Sequence, residues 1–471
     1  MKNACGRFTP VSTRRSFLQQ SSIGFGALAL ADLLGRSAQA AGSAPLAPKA
    51  PHFKPRAKRV IFLFMHGGPS QVDTFDYKPI LQQNHGKPLP YDKPRIFSAK
   101  TSTLLASPFS FKRYGQSGAW ASELFPNVGS CADDICFVHS AFCSNSRHGG
   151  ALLELHTGSD TFVRPSMGSW VGYGLGTENE DLPSYVTIRP TLTHGGVNSW
   201  SSSFLPAVYS GTPLGNTGMA IKNCAIPHIR GGGAGRKLQR FELDFLQQLN
   251  RSRLEEVGSD NDLESRIQSF ELAYRMQTEA PEIQSLTGES AATRKLYGLD
   301  EKPTDDFARQ CLMARRFSER GVRFVQATHS YKWDQHGNLR AGHRQNAAEV
   351  DKPIAGLLQD LKTRGLLDET LVLWSGEFGR TPVGQSGNGR DHNPHGFTVW
   401  MAGGGIRPGM SFGRTDDFGY YAIENKVHFH DLHATILHLL GIDHERLTYR
   451  YSGRDFRLTD VHGRVVHEII A

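Results

Sequence analysis

From residue 304 onward the chain alternates helical and strand patterns, and this alternation leaves few folds open. A helical pattern over 305–320 stops at Gly321 and gives way to the apolar run VRFVQA (322–327). A second, over 343–364, stops at Gly365 before TLVLWS (370–375). The strand-like FTVWMA (397–402) and the helical HDLHATILHLL (430–440) complete the series. Glycines that close helices, and short β-branched or aromatic runs between them, are the usual marks of this rhythm. It predicts an α/β fold, a mostly parallel sheet with helices on both faces. Earlier in the chain, VIFLFM (60–65) and DICFVHSAF (134–142) read as further strands, and ALLELHTG (151–158) as a short helix closing at Gly158.

Two regions break the rhythm. Residues 187–235, rich in Gly, Ser, Thr and Pro, read as a long excursion off the core. Residues 237–280 are charged, with stripes at helical spacing (Phe241, Phe245, Leu249, Leu254; then Leu263, Ile267, Phe270, Tyr274) that predict amphipathic helices packed on the core. The expected organisation is one domain over 59–471 with an insertion at about 187–300, preceded by a linker at 41–58 that holds four prolines.

Residues 1–40 read as an export signal. Arg14-Arg15 precede an apolar stretch, Ile23 to Leu34, and Ala38-Gln39-Ala40 offers a cleavage site. This predicts twin-arginine export to the periplasm or beyond. The apolar stretch is too short for a stable membrane span, and no later segment approaches spanning length. Half of the formal charge of +8 belongs to this segment, which has five Lys/Arg against one acid. The remainder is too weakly basic to indicate nucleic acid. The cysteines form no C-x-x-C pair, so no zinc ribbon is indicated.

The strands lead into polar loops, and ligand sites of α/β sheets collect at the carboxyl ends of strands. His66, Asp73 and Asp76 follow the first strand; His329, Asp334 and His336 follow 322–327; Glu377 and Arg380 follow 370–375. Arg390, Asp391, His392 and His395 lie in GRDHNPHGF, between strands. Mixed carboxylate and imidazole ligands suit a divalent metal, and two such ions would clamp the oxygens of an ester under attack. For Asp73 and Asp76 the competing reading is a helix or turn cap. For His329 it is a loop histidine with its hydrogen bonds satisfied.

Together, VIFLFMHGGPSQVDTFD, FELAYRMQ, WDQHGNL, GEFGRTP and GRDHNPHGF resemble the exported bacterial family catalogued as domain of unknown function 1501. That family is grouped with the alkaline phosphatase and sulfatase superfamily. VHFHDLHATILHLLGID resembles a sulfatase signature, and TLVLWSGEFG resembles the superfamily strand that runs into Ser-Asp-His-Gly or Ser-Asp-Asn-Gly. The resemblance implies one or two divalent ions (zinc, manganese, calcium or iron) held by His66, Asp73, Asp334, His336, Glu377, Asp391 and His392. It departs from the superfamily where His66 and Glu377 replace Asp, Phe378 replaces His or Asn, and Ala434 replaces Pro.

The superfamily nucleophile stands at a helix start nine residues before a Thr-Gly pair, and counting back from Thr157-Gly158 reaches His148. CSNSR (143–147) approaches the formylglycine motif, but Asn145 stands where Pro is usual, so formylglycine at Cys143 is not expected. Ser144, Ser146 or a metal-activated water remain open as nucleophiles. The implied function is hydrolysis of phosphate or sulfate esters. His148 would attack or position water, and Arg147 and Arg380 would bind the tetrahedral anion. The substrate would be a small anionic ester or a sulfated or phosphorylated glycan. The alternative is a non-catalytic scaffold that binds a glycan or a protein. An exported oxidoreductase is disfavoured, because no dinucleotide fingerprint follows a strand.

Overall fold

The computed structural model describes residues 45–92, 101–227, 229, 235–258 and 260–471. The export-signal reading of residues 1–40 therefore lies outside the described residues. Strand β1 (Arg59–Met65) explains why the chain spends an unbroken apolar run there. It lies inside a nine-stranded sheet and is buried on both faces, the situation that favours continuous rather than alternating hydrophobicity. Ile61, Leu63 and Met65 enter one core, and Val60, Phe62 and Phe64 the other. This is the two-residue period of a strand expressed in two cores at once.

The same sheet holds β2 (Ile135–Phe142), β3 (Tyr185–Ile188), β4 (Thr212–Leu214), β5 (Phe324–His329) and β6 (Thr370–Ser375). A buried hairpin follows, β7 (Gly379–Gln385) and β8 (Gly389–Asn393). Then come β9 (Phe397–Ala402), β10 (Met410–Phe412) and β11 (Val427–His428). The sheet order is β10-β2-β9-β6-β1-β5-β3-β4, with β11 also on β2. Within this sheet β9 is antiparallel to both neighbours, and the other pairs are parallel.

Helices α1 (His148–Thr157) and α6 (Phe429–Leu439) cover one face; α4 (Asp305–Glu319) and α5 (Leu339–Thr363) cover the other. α1 starts three residues before its expected position, which puts His148 in its first turn. Gly158 ends it in the left-handed region at φ 69°, where a Cβ would collide with the Leu458 carbonyl.

The broken-rhythm regions differ from expectation. The Gly/Ser-rich stretch is not wholly off the core, because β3 and β4 extend the sheet on one side. Helices α2 (Arg236–Val257) and α3 (Asn261–Gln284) form as predicted, but the α2 stripe is not core. Phe241 is 69% exposed and Phe245 58%. Periodicity reports a one-sided helix and says nothing about what lies against that side. Among the described residues, no helix is long and apolar enough to cross a membrane.

Candidate metal centre

Parallel register brings the polar loops to one edge. Met65 lies opposite His329, and Phe64 opposite Ser375, so His66, the 330–336 loop and Glu377 leave the sheet together. The chain then turns at Gly67 with φ 114°, where a Cβ would meet the Trp333 and Asp334 backbone at 2.6–2.9 Å. Only glycine allows the β1 loop to lie this close to the Asp334 loop. The β7–β8 hairpin pairs Arg380 with His392, and a Cβ on Gly389 would stand 2.1 Å from the His336 carbonyl.

Asp334 Oδ1 is the hub of the centre. His336 Nε2 lies 3.0 Å from it, His392 Nε2 3.2 Å and His148 Nε2 3.3 Å. Arg380 Nη2 approaches the same oxygen at 2.7 Å, and Tyr331 donates to Oδ2. The outer nitrogens of two of the imidazoles are anchored: His392 Nδ1 to the Ser146 carbonyl at 2.7 Å, His336 Nδ1 to Gln385 Oε1. A ring whose Nδ1–H is donated outward presents its Nε2 lone pair inward, the arrangement that orients metal-binding histidines.

A second group adjoins the first. Glu377 accepts from the Gly67 N–H at 3.0 Å and meets His148 Nδ1 at 2.6 Å. His66 Nε2 lies 4.0 Å from the same carboxylate oxygen and 3.4 Å from His194 Nδ1. Ligand atoms of His148, Asp334, His336 and His392 all fall within 4.8 Å of one another, as do those of His66, His148 and Glu377.

The electrostatics fit a cation. Burial opposes ionisation of Asp334, yet the close His148, His336 and His392 imidazoles and the Arg380 guanidinium hold it well below the usual range. Burial likewise opposes the Glu377 charge, but His148 and His66 bring it down to about 2. The imidazoles diverge: His336 is raised by its bond to Asp334, and His148 is raised by the two carboxylates despite burial. His66 and His392 are lowered by burial to about 4. Protons cannot fill every gap around Asp334 Oδ1, because several imidazolium ions in one buried pocket repel each other. One divalent ion would fill them together. Ligands at ~2 Å around a tetrahedral ion stand about 3.3 Å apart, and the nitrogen–oxygen separations here are 3.0–3.3 Å.

Of the sequence-predicted residues, His66, His148, Asp334, His336, Glu377 and His392 come together. Asp73 does not: it is fully buried, takes Arg390 Nε at 2.6 Å and Nη2 at 3.1 Å, and accepts from Ser70. Asp391 flanks the centre, accepting the His392 N–H at 2.8 Å, with its carboxylate 3.9 Å from His336 Nδ1 and outside both groups. Arg380 is fully buried and donates to Gly67 O, Gly68 O, Arg390 O and Asp334, so its fork orders loops and is not offered to an anion. Arg147 is exposed at the α1 N-cap. Cys143 is buried outside both groups, its thiol pushed well up by burial and by Glu154.

Sequence reasoning missed His194, Tyr331 and Gln385. His194, at φ 54°, reaches the centre from the Gly-rich stretch and stacks on His148 with ring centroids 4.9 Å apart. The Thr-His-Gly-Gly sequence around it carried no periodic signal.

Among solved structures, the chain is similar to the lipoteichoic acid synthase LtaP from Listeria monocytogenes, at 10% identity and a TM-score of 0.38, over 88% of this chain and 78% of that one. It is also similar to a phosphonate monoester hydrolase from Silicibacter pomeroyi, at 11% identity and a TM-score of 0.35, over 88% and 76%. The alkaline phosphatase from the Antarctic bacterium TAB5 matches at 10% identity and a TM-score of 0.33, over 83% and 99%. No curated protein sequence matches the chain. The profile of the family described as protein of unknown function, DUF1501, matches residues 57–470, and the chain belongs to that family.

Proposed function

We propose that this chain is an exported, metal-dependent hydrolase of phosphate or sulfate esters. The observation that carries the reading is the set of three imidazole nitrogens around one Asp334 oxygen, two of them with their outer nitrogens anchored. Asp334, His336, His392 and His148 would hold the ion, and Gln385 and the Ser146 carbonyl orient two of the rings. When bound, the ion supplies a Lewis acid for the ester oxygen and lowers the pKa of an attacking water.

The chain's own residues bind and position. The N-terminus of α1, which has no side-chain cap, would offer N–H groups and the positive end of its dipole to an anionic ester. Arg147, exposed at that N-cap, adds charge at the mouth. Arg380 acts as a positioning residue, fixing the Asp334 loop against Gly67 and Gly68. His148 is a ligand in this reading, not a nucleophile, because each of its ring nitrogens faces a carboxylate.

One observation favours the scaffold reading. The Phe378 ring lies 4.4 Å from that of His392, at a position where the resemblance would place a ligand. The two readings separate on the purified chain, by elemental analysis together with turnover of aryl phosphate mono- and diesters and aryl sulfates. Bound divalent metal with turnover that is lost in Asp334→Ala is expected. Bound metal without turnover of any ester selects the scaffold, and absence of both metal and turnover overturns the metal-dependent reading.

A further inference from the structure

Helix α2 turns its apolar side away from its own fold. Leu238, Phe241, Phe245 and Leu249 follow at spacings of three, four and four, which makes one continuous stripe. Phe241 and Phe245 are well exposed, and Leu238 and Leu249 are each 52% exposed. The side that meets α3 is polar instead. Gln247, buried, donates to the Ile267 carbonyl at 2.7 Å. Arg240 pairs with Glu271 at 3.0 Å and lies over the Tyr274 ring at 5.0 Å. Gln247 stands about half a turn around the helix from Phe245 and Leu249. A helix that packs by its polar side and shows phenyl rings to water marks an interaction surface.

Charge decides between a lipid surface and a protein as its occupant. Helices that lie on membranes carry a predominantly basic polar face. α2 has five Lys/Arg against four Asp/Glu, so it gains little from anionic lipid.

The charges beside the stripe fit a second α2. Lys237 and Glu255 flank it on one side, near its start and its end, and Glu242 and Arg253 flank it on the other. Two copies laid antiparallel, with a two-fold axis at the level of Gln247, set Phe245 of each against Leu249 of the other. The same two-fold brings Lys237 to Glu255 and Glu242 to Arg253, each pair occurring twice. Arg253 has a partner in its own helix, Glu256 at 3.1 Å, but an exposed pair of this kind holds it weakly.

We propose that this chain forms a two-fold dimer through α2, its partner a second copy of itself. The dimer is independent of the metal centre. α2 spans 22 residues, about 33 Å, so the contact is small and forms as concentration rises. In dilute solution the rings face water, and unfolding there is that of the monomer.

Sedimentation velocity of the purified chain at loading concentrations of ~1–100 µM tests the dimer. The dimer fraction should rise across that range, and Phe245→Lys should stay monomeric throughout with its circular dichroism unchanged. Lys237→Glu should weaken dimerisation ~10-fold, because like charges then meet at both symmetry-related contacts. Adding Glu255→Lys to that variant should restore the parent affinity. A monomer at the highest concentration overturns the proposal, as does a dimer that Phe245→Lys leaves intact. Failure of the charge swap to restore affinity overturns the antiparallel arrangement. A chain that stays monomeric but floats with phosphatidylglycerol vesicles, and loses this in Phe245→Lys, assigns the stripe to a membrane and removes the second copy.

Discussion

Asp73, fully buried, and Asp334, half-buried, each stand beside an arginine, and they do opposite work. Arg390 grips Asp73 through two nitrogens and Ser70 takes one of the same oxygens, which leaves no capacity for a metal. Asp73→Asn would strand the buried Arg390 charge and should cost about 3–5 kcal/mol in urea unfolding. Metal content per folded molecule should stay unchanged, an outcome that no metal ligand could give. At Asp334 the neighbours orient the site. Replacing Gln385 with Leu removes the acceptor for His336 Nδ1 and should weaken metal binding ~10–100-fold in chelator competition. His329 closes β5 as a structural histidine with satisfied hydrogen bonds: Trp333 donates to Nδ1 at 2.9 Å, and Nε2 meets Glu349 at 2.9 Å. Burial opposes the Glu349 charge, but His329 and Lys332 bring its carboxyl to about 2. An unfolded glutamate titrates near ~4.3, so this pair stabilises the fold above that pH and the gain is lost as pH falls toward the folded value. The melting-temperature gap between the parent protein and Glu349→Gln should be full at pH 7 and close as the pH drops through that window.

At the scale of elements, what the sequence revealed and what it hid have separate physical causes. β1, β2, β5, β6 and β9 were legible because sheet strands buried on both faces need continuous apolar runs. The hairpin 379–393 was not, because GRTPVGQ and GRDHN are polar and yet wholly buried, satisfied by contacts between distant loops. Most of the centre was visible as residue types at strand ends. Its closeness was not, since it depends on glycines at 67 and 389 whose reason is a neighbour on a loop far away along the chain. Gly67→Ala should therefore push the Asp334 loop outward and lower metal occupancy, read by elemental analysis of the folded fraction. The α2 helix makes the opposite case. Because Phe241 and Phe245 are exposed, Phe241→Lys and Phe245→Lys should each change unfolding free energy by no more than ~0.5 kcal/mol. A buried stripe, as the sequence suggested, would cost several times more.

For the whole molecule, the proposed export and the proposed metal binding would make linked demands. Cys131, Cys136, Cys143, Cys224 and Cys311 are buried and unbridged, so among the described residues nothing in the fold waits for an oxidising compartment. That suits a chain carried folded by the twin-arginine route, and Arg14→Lys with Arg15→Lys should leave precursor in the cytoplasm on fractionation. The centre gathers side chains from positions 66, 148, 334, 336, 377 and 392, and no short piece of chain contains it. Unfolding therefore disperses every ligand, and an ion that binds only the folded state stabilises all of it by mass action. At a thousandfold excess over Kd this is about 4 kcal/mol, enough to move the melting temperature by several degrees. Chelator should lower the melting temperature and added divalent metal should restore it, while a thiol reductant changes nothing. In Asp334→Ala the chelator shift should shrink sharply, because the hub shared by three imidazoles is gone. A parent protein whose melting temperature ignores chelator would place these histidines in a proton-filled binding pocket, with the arginines and carboxylates neutralising one another.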